Sequence, residues 1–326
     1  MPKRTVLGAG HWGVALAVTL ARRGEAVCLW GRALQPAGPR SVLPHFPDVP
    51  VPPTLSLSCA WEEALDDAAE LVIAVPSHGV RELLARLPAC LPRSVPITLT
   101  SKGLERDTQA RLDEILAEQL PGRPWGVLSG PSFASDLVAG RPLAMTLASH
   151  FPDYLAMQVP AWRSEQLRIY PSTDVAGVCL AGAIKNVLAI AAGISDGLGY
   201  GDSARAALIT RGLAELRRLG VALGGQADTF VGLAGAGDLI LTASSDLSRN
   251  RRFGLGIGAG KPVEQVLREL GEEVEGWRSS HALYHLAEEK GIEMPIVREV
   301  YRVLYEGRSA RAASAALMQR GLAEAD

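Results

Sequence analysis

Hydrophobic positions in the first half of the chain fall into short runs, RTVLG, AVCLW, LVIAV, VPITLT, WGVLS, LAMTLA and LRIY, each bounded by polar or turn-forming residues. Short β-branched and aliphatic runs with that punctuation predict strands. The segments between them carry helical spacing, beginning with the stretch that ends at Arg23. Such alternation predicts an α/β domain, a mostly parallel doubly wound sheet with helices on both faces, whose last strand ends at Tyr170. Beyond about Asp174 the pattern changes. Long periodic segments such as 203-SARAALITRGLAELRRLG-220 and 281-HALYHLAEEKG-291 follow one another with Gly and Pro as punctuation and no clear strand. The expected division is therefore a sheet domain over 1–176 and an all-helical C-terminal domain over 177–326. Between the second strand and Trp61, RALQPAGPRSVLPHFPDVPVPPTL is too rich in proline for regular structure.

One helical stretch breaks its own pattern. In 181-AGAIKNVLAIAAGISDG-197 small and aliphatic residues fill every side, yet Lys185 and Asn186 stand near its start. An ammonium group in such surroundings carries a large desolvation cost unless it is paired. Desolvation also lowers a lysine pKa, which suits a general acid or base working near neutral pH.

Composition narrows the function classes. At 326 residues the chain is long enough for two domains, and its 33 Lys and Arg nearly balance 35 Asp and Glu. That balance gives no long-range steering toward nucleic acid or a membrane surface, so an anionic small molecule needs a local basic cluster. Cys28, Cys59, Cys90 and Cys179 are scattered without a CxxC spacing and read as buried reduced thiols. The N-terminal apolar run is interrupted by glycines and too short to span a bilayer. Neither a signal peptide nor stable membrane insertion is expected, and the cytoplasm is the default location.

Several motifs can carry chemistry. Gly8, Gly10 and Gly13 in 8-GAGHWG-13 form a G-x-G-x-x-G directly after a strand and before a helix. The first permits the tight turn, the second lets backbone approach a pyrophosphate and the third allows close helix packing, which together mark a Rossmann-like dinucleotide site. At the end of the second strand stands Arg32, where a basic group accepts a 2′-phosphate; this favours NADPH, with NADH the alternative. Lys102 in TSKGLE and Ser132 in SGPSFASDL leave strands at the edge where open α/β sheets bind ligands. Ser132 and Asp238 can each serve instead as helix N-caps. In 248-SRNRRFG-254, Arg249 with Asn250 offers the planar fork and amide donors that hold a phosphate, unless the arginines form a solvated face. His281 and His285 have metal-like i, i+4 spacing but no H-E-x-x-H, so a packing or surface role and no metal are expected.

Taken in order, GAGHWG, VPSH, SKGLE, SGPSFA, GAIKNVLAIAAGISDGLGYG, ALITRGLAE, GLAGAGDLILT, SRNRRFG and VEG closely resemble the bacterial-type NAD(P)-dependent glycerol-3-phosphate dehydrogenases along nearly the whole chain. The resemblance implies reversible hydride transfer between C2 of sn-glycerol 3-phosphate and a nicotinamide, with reduction of dihydroxyacetone phosphate leading toward phospholipid precursor. It implies that Lys185 accepts the proton in oxidation and donates it in reduction, beside the carboxylate of Asp238. Lys102 matches a lysine that touches both substrate and cofactor. Gly130, Ser132, Ser248, Arg249 and Asn250 match the substrate-binding set, with Arg249 and Asn250 on the phosphate. His11, Trp12, Arg32, Ala134, Arg249, Glu273 and Glu275 match cofactor contacts. Asn186 is expected as a hydrogen-bonding neighbour of Lys185. The chain departs from the family in the shorter, proline-rich segment after the second strand, which leaves the adenosine-side contacts open.

Two other readings compete. β-Hydroxyacid dehydrogenases also combine a Rossmann domain, a lysine followed by asparagine and a helical domain, but act on carboxylates, so a phosphate requirement discriminates. A non-catalytic NAD(P)-binding sensor is the other, and the presence of both Lys185 and Asp238 counts against it. The oligomeric state stays open between a monomer and a homodimer.

Overall fold

The structure, a computed structural model, describes residues 3–34, 42–87, 91–105, 108–271 and 273–319. The chain folds into two compact units. Met1–Lys102 with Leu112–Val175 form the first, and Gly103–Arg111 with Ala176–Asp326 form the second.

The first unit holds one eight-stranded sheet: β1 (Lys3–Leu7), β2 (Ala26–Trp30), β3 (Leu55–Ser58), β4 (Ala68–Ile73), β5 (Ile97–Leu99), β6 (Trp125–Ser129), β7 (Leu143–Ala148) and β8 (Leu167–Ser172). Their order is β3-β2-β1-β4-β5-β6-β7-β8, with the β6–β7 pair antiparallel and the rest parallel. The edge strand β3 was not among the predicted runs, because LSLS is four residues long and follows directly on a proline-dense segment. β8 continues past Tyr170 through Pro171 to Ser172, a place where the missing N–H of proline is tolerated because β8 is an edge. The proline-rich segment itself, over its described residues 42–53, holds only turns and an isolated bridge between Leu43 and Phe46, while 35–41 lie outside the described residues.

Apolar residues of the first helix, α1 (His11–Arg22), such as Val14, Leu16 and Val18, pack with Val6, Leu29, Leu128 and Trp162 into the core of this unit. That core contains a polar knot. Glu70, fully buried, accepts from Thr98 Oγ1 at 2.5 Å and Trp162 Nε1 at 3.2 Å and pairs with Arg4 at 2.8 Å. Burial outweighs these partners and holds its carboxyl above the ordinary range. Cys28 and Cys179 are buried, but Cys59 is exposed, contrary to its expected burial, because it stands just past the end of β3 and not within it; Cys90 lies outside the described residues.

The second unit is helical wherever it has regular structure among the described residues. Its central helix, Val175–Gly197, begins six residues before the stretch that stood out in the sequence. It is long and apolar enough to cross a membrane, but 94% of its apolar window is buried inside the protein, as in the core helix of a soluble fold. Ile184, Val187, Leu188 and Ile190 pack there with Leu216, Phe230 and Phe253. Helix Arg249–Gly258 lies against it with almost no space between backbones: a Cβ on Gly193 would sit 2.0 Å from the Arg251 carbonyl oxygen, and one on Gly254 2.1 Å from that of Ile190. Small residues on both helices therefore fix the distance from which their polar side chains act.

Candidate functional site

In the first unit β1 lies between β2 and β4, so the strand order reverses beside it. The crevice at the carboxyl ends of such strands is the binding edge of an open α/β sheet. Gly8 turns there with φ +123°, and a Cβ on it would meet the Ala74 carbonyl oxygen at 2.6 Å. A Cβ on Gly13 would fall 1.9 Å from the Gly8 carbonyl oxygen. Gly10 is different, because no atom lies within 4 Å of where its Cβ would be. The open space sits at the N-terminus of α1, which has no side-chain cap and no acidic residue in its first turn. Backbone N–H groups and the positive end of the helix dipole thus face a gap that a side chain would fill, and a pyrophosphate fits it.

His11, the first residue of α1, stacks on His45 with ring centroids 3.9 Å apart, and Phe46 meets the same ring edge-on at 6.1 Å. Trp12 packs against the core beneath. Arg32 follows β2 and is exposed, as a partner for a ribose phosphate would be. Lys102 follows β5 and donates from Nζ to the Gly130 carbonyl oxygen at 3.3 Å, and the Ser132 hydroxyl donates to that oxygen at 3.2 Å. Gly130 can host this convergence because its φ of +148° brings its backbone against Met145. The capping role weighed for Ser132 is not what the structure shows: helix Ala134–Val138 has Phe133 at its N-cap and no side-chain cap bond. Ala134 is the first residue of that helix.

In the second unit Lys185 is buried and finds its partners on one short helix, Asp238–Ser244. Its Nζ donates to Asp238 Oδ1 at 2.7 Å and to Thr242 Oγ1 at 2.9 Å, and Thr242 Oγ1 donates to Asp238 Oδ1 at 3.3 Å. One turn of helix separates Asp238 from Thr242, so both face the same amine. Asp238 is not an N-cap. It is the first residue of its helix, preceded by a π-helical turn over Leu233–Gly237, and its carboxylate is fully buried on the lysine. Burial disfavours the ammonium form while the carboxylate at 2.7 Å favours it.

Beside Lys185 runs a closed amide network. Asn186 Nδ2 donates to Glu275 Oε2 at 3.4 Å, Asn250 Nδ2 donates to Asn186 Oδ1 at 3.0 Å, and Asn250 Oδ1 accepts from the Gly276 N–H at 2.9 Å. Asn186 is thereby a neighbour of Lys185 along the helix but bonds to Asn250 and Glu275. Ser248 caps helix Arg249–Gly258 by accepting from the Arg251 N–H. The three arginines that follow part company: Arg249 is half-buried, Arg252 is exposed, and Arg251 is buried on Asp196 at 2.6 Å. The solvated-face reading therefore holds for Arg252 and fails for Arg251. Glu273 pairs with Arg278 at 3.2 Å. His281 and His285, with ring centroids 4.4 Å apart, meet each other and Tyr284, Tyr301 and Tyr305 in tilted and edge-on contacts, and among the described residues no cluster of three metal-ligating side chains occurs.

Sequence reading missed Thr242, His45 and Asp196. Thr242 was legible as the i+4 neighbour of Asp238 in GDLILT, whereas His45 and Asp196 carry no local pattern that announces their partners.

Both halves of the chain match family models: residues 3–154 the NAD-dependent glycerol-3-phosphate dehydrogenase N-terminus, and residues 174–315 the C-terminus of the same family. A glycerol-3-phosphate dehydrogenase [NAD(P)+] of Acidithiobacillus ferrooxidans is 57% identical over 321 residues, covering 97% of this chain and 93% of its own length. That of Thiobacillus denitrificans is 48% identical over 323 residues, covering 98% of each. The crystal structure of glycerol-3-phosphate dehydrogenase from Coxiella burnetii superposes with a TM-score of 0.92 at 38% identity, covering 97% of this chain and 98% of that one.

Proposed function

The chain belongs to the NAD-dependent glycerol-3-phosphate dehydrogenase family, and from that membership we propose how its residues divide the work. It is an NAD(P)-dependent oxidoreductase acting on a CH–OH group, interconverting sn-glycerol 3-phosphate and dihydroxyacetone phosphate. The carboxylate-substrate and sensor readings fall away with that assignment. In our reading, residues 1–176 bind the dinucleotide and residues 177–326 hold the substrate and move the proton.

The observation that carries this reading is the buried amine of Lys185, held by Asp238 and Thr242. When bound, the nicotinamide supplies the hydride that adds to C2 of the ketone. The oxygen on C2 then gains negative charge, and Lys185 Nζ donates the proton that completes the alcohol. In the opposite direction the neutral amine takes that proton from the alcohol. Asp238 stabilises the ammonium form, and Thr242 fixes the direction in which the remaining N–H points. Arg249 binds the substrate phosphate through its planar fork, with Asn250 beside it. The amide network of Asn186, Asn250 and Glu275 keeps these side chains at fixed positions on separate helices. Lys102, Gly130 and Ser132 bind substrate, with Ser248 shaping the arginine loop.

Gly8, Gly10, Gly13, His11, Trp12, Ala134, Lys102, Arg249, Glu273 and Glu275 contact the cofactor in the same reading, with Arg32 on a 2′-phosphate. NADPH is therefore the preferred form. We further place the enzyme in the cytoplasm, where it supplies glycerol phosphate for phospholipid synthesis, as a homodimer. Static light scattering should give twice the chain mass; the mass of one chain would overturn the dimer. The fall in nicotinamide absorbance on mixing with dihydroxyacetone phosphate tests the chemistry, run with NADPH and NADH and with unphosphorylated dihydroxyacetone as control. Fast oxidation is expected only with the phosphate ester and faster with NADPH at low cofactor concentration. Equal use of both cofactors would remove Arg32 from its assigned role.

A further inference from the structure

His45 lies in the proline-rich segment whose relation to the cofactor the sequence left open. Leu43, Pro44, His45 and Phe46 form a tight turn closed by a hydrogen bond from the Phe46 N–H to the Leu43 carbonyl at 3.3 Å. His45 occupies the third position of this turn with φ +65°, where glycine is the usual residue. A side chain held in that conformation costs energy that the surrounding structure must offset, and such residues gather at ligand clamps. Here the conformation lays the His45 ring flat on His11, at 3.9 Å and an interplanar angle of 25°. Phe46, partly buried against the core, closes the edge of the same ring at 82°. Leu43, only 1% exposed, anchors the other end of the turn.

His11 is the residue that follows Gly10, and Gly10 borders the open gap at the N-terminus of α1. A half-buried imidazole at that position has rotamers that point toward the gap and rotamers that point away. Stacking on His45 and the edge contact with Phe46 hold the ring in its observed orientation. We propose that His45 is a positioning residue for the dinucleotide: it holds the His11 ring as a wall of the pyrophosphate gap. The inference rests on the dinucleotide reading of the glycine turn. Because both nicotinamide dinucleotides share the pyrophosphate, the effect is common to NADPH and NADH, unlike that of Arg32.

Titration of the apo-protein with each cofactor, followed by tryptophan fluorescence, provides a test without turnover. Saturable binding by the unaltered protein is the condition for the dinucleotide reading itself, and its absence would remove that reading whatever the variants do. His45→Asn removes the ring while keeping a residue that tolerates the left-handed conformation. It should weaken NADPH and NADH alike by roughly three- to tenfold, the loss of one aromatic pair, with the melting temperature unchanged. His45→Phe keeps a ring to stack on and should bind within about twofold of the unaltered protein. In a His11→Ala background, His45→Asn should have no further effect, since the ring it positions is gone. Unchanged affinity in His45→Asn, a loss in His45→Phe as large as in His45→Asn, or additive losses in the double variant would each overturn the proposal.

Discussion

The glycine turn of the first unit and the lysine cluster of the second are built by opposite means. Around Gly8, Gly10 and Gly13 the site is made of backbone and empty space, and what matters is the absence of side-chain atoms. Around Lys185 it is made of three side chains packed into an apolar interior, where each one is needed because the others are buried with it. In the function proposed above, the first site recognises a ligand by shape and by a helix terminus that any sequence lacking a Cβ at the right place provides, and the second performs a step that depends on which atom carries a proton.

The difference can be broken from either side. The largest effect belongs to the lysine: Lys185→Ala should lower kcat for ketone reduction by about 10³-fold or more while cofactor titration still saturates near the original concentration. In the glycine turn, two alanines should separate space for the fold from space for the ligand. Gly13→Ala forces a Cβ onto the Gly8 carbonyl and should cost stability on the order of 3 kcal/mol, read as a lower urea midpoint. Gly10→Ala meets nothing in the protein and keeps an ordinary backbone conformation, φ −75° and ψ 175°, so stability should hold while NADPH binding weakens at least tenfold. Loss of stability in Gly10→Ala, or normal binding, would erase the distinction. Thr242→Val, which keeps shape and removes the hydroxyl, should reduce kcat roughly tenfold, and Thr242→Ser should restore most of it.

The smallest effect concerns stability and pH in the first unit. Burial holds the Glu70 carboxyl above its ordinary value of 4.5, so the folded chain binds that proton more tightly than the unfolded chain does. Its contribution to stability is present below the unfolded value and is lost as pH rises through the raised folded value. Urea unfolding of the unaltered protein and of Glu70→Gln should therefore diverge as pH rises above the ordinary value of 4.5, the unaltered protein losing stability relative to the variant. A difference that stays constant as pH rises would contradict the assignment.

Legibility in the sequence followed the same division. The glycine turn was readable because its meaning lies in residue type and position after a strand. The lysine was readable because a charge inside an apolar helix is conspicuous. What it pairs with was harder: Asp238 looked as much like a helix cap as a partner until the π-helical turn before it placed its carboxylate on the amine. Ser132 carried the same ambiguity and resolved to a bond with Gly130. Arg251 and Arg249 are two residues apart, yet only the position of Asp196, 55 residues away, decides that Arg251 is structural. The strand β3 escaped notice because pairing with β2, not its own four residues, makes it a strand. His45 escaped because nothing local says that its φ is positive.

The most direct test of the central claim, that Lys185 passes the proton to and from the C2 oxygen, is chemical rescue. Lys185→Ala would be assayed for dihydroxyacetone phosphate reduction with small primary amines added. The account predicts negligible turnover without amine and a rate that rises with amine concentration and varies with amine basicity, at unchanged cofactor affinity. Turnover near that of the unaltered enzyme with no amine present would contradict it.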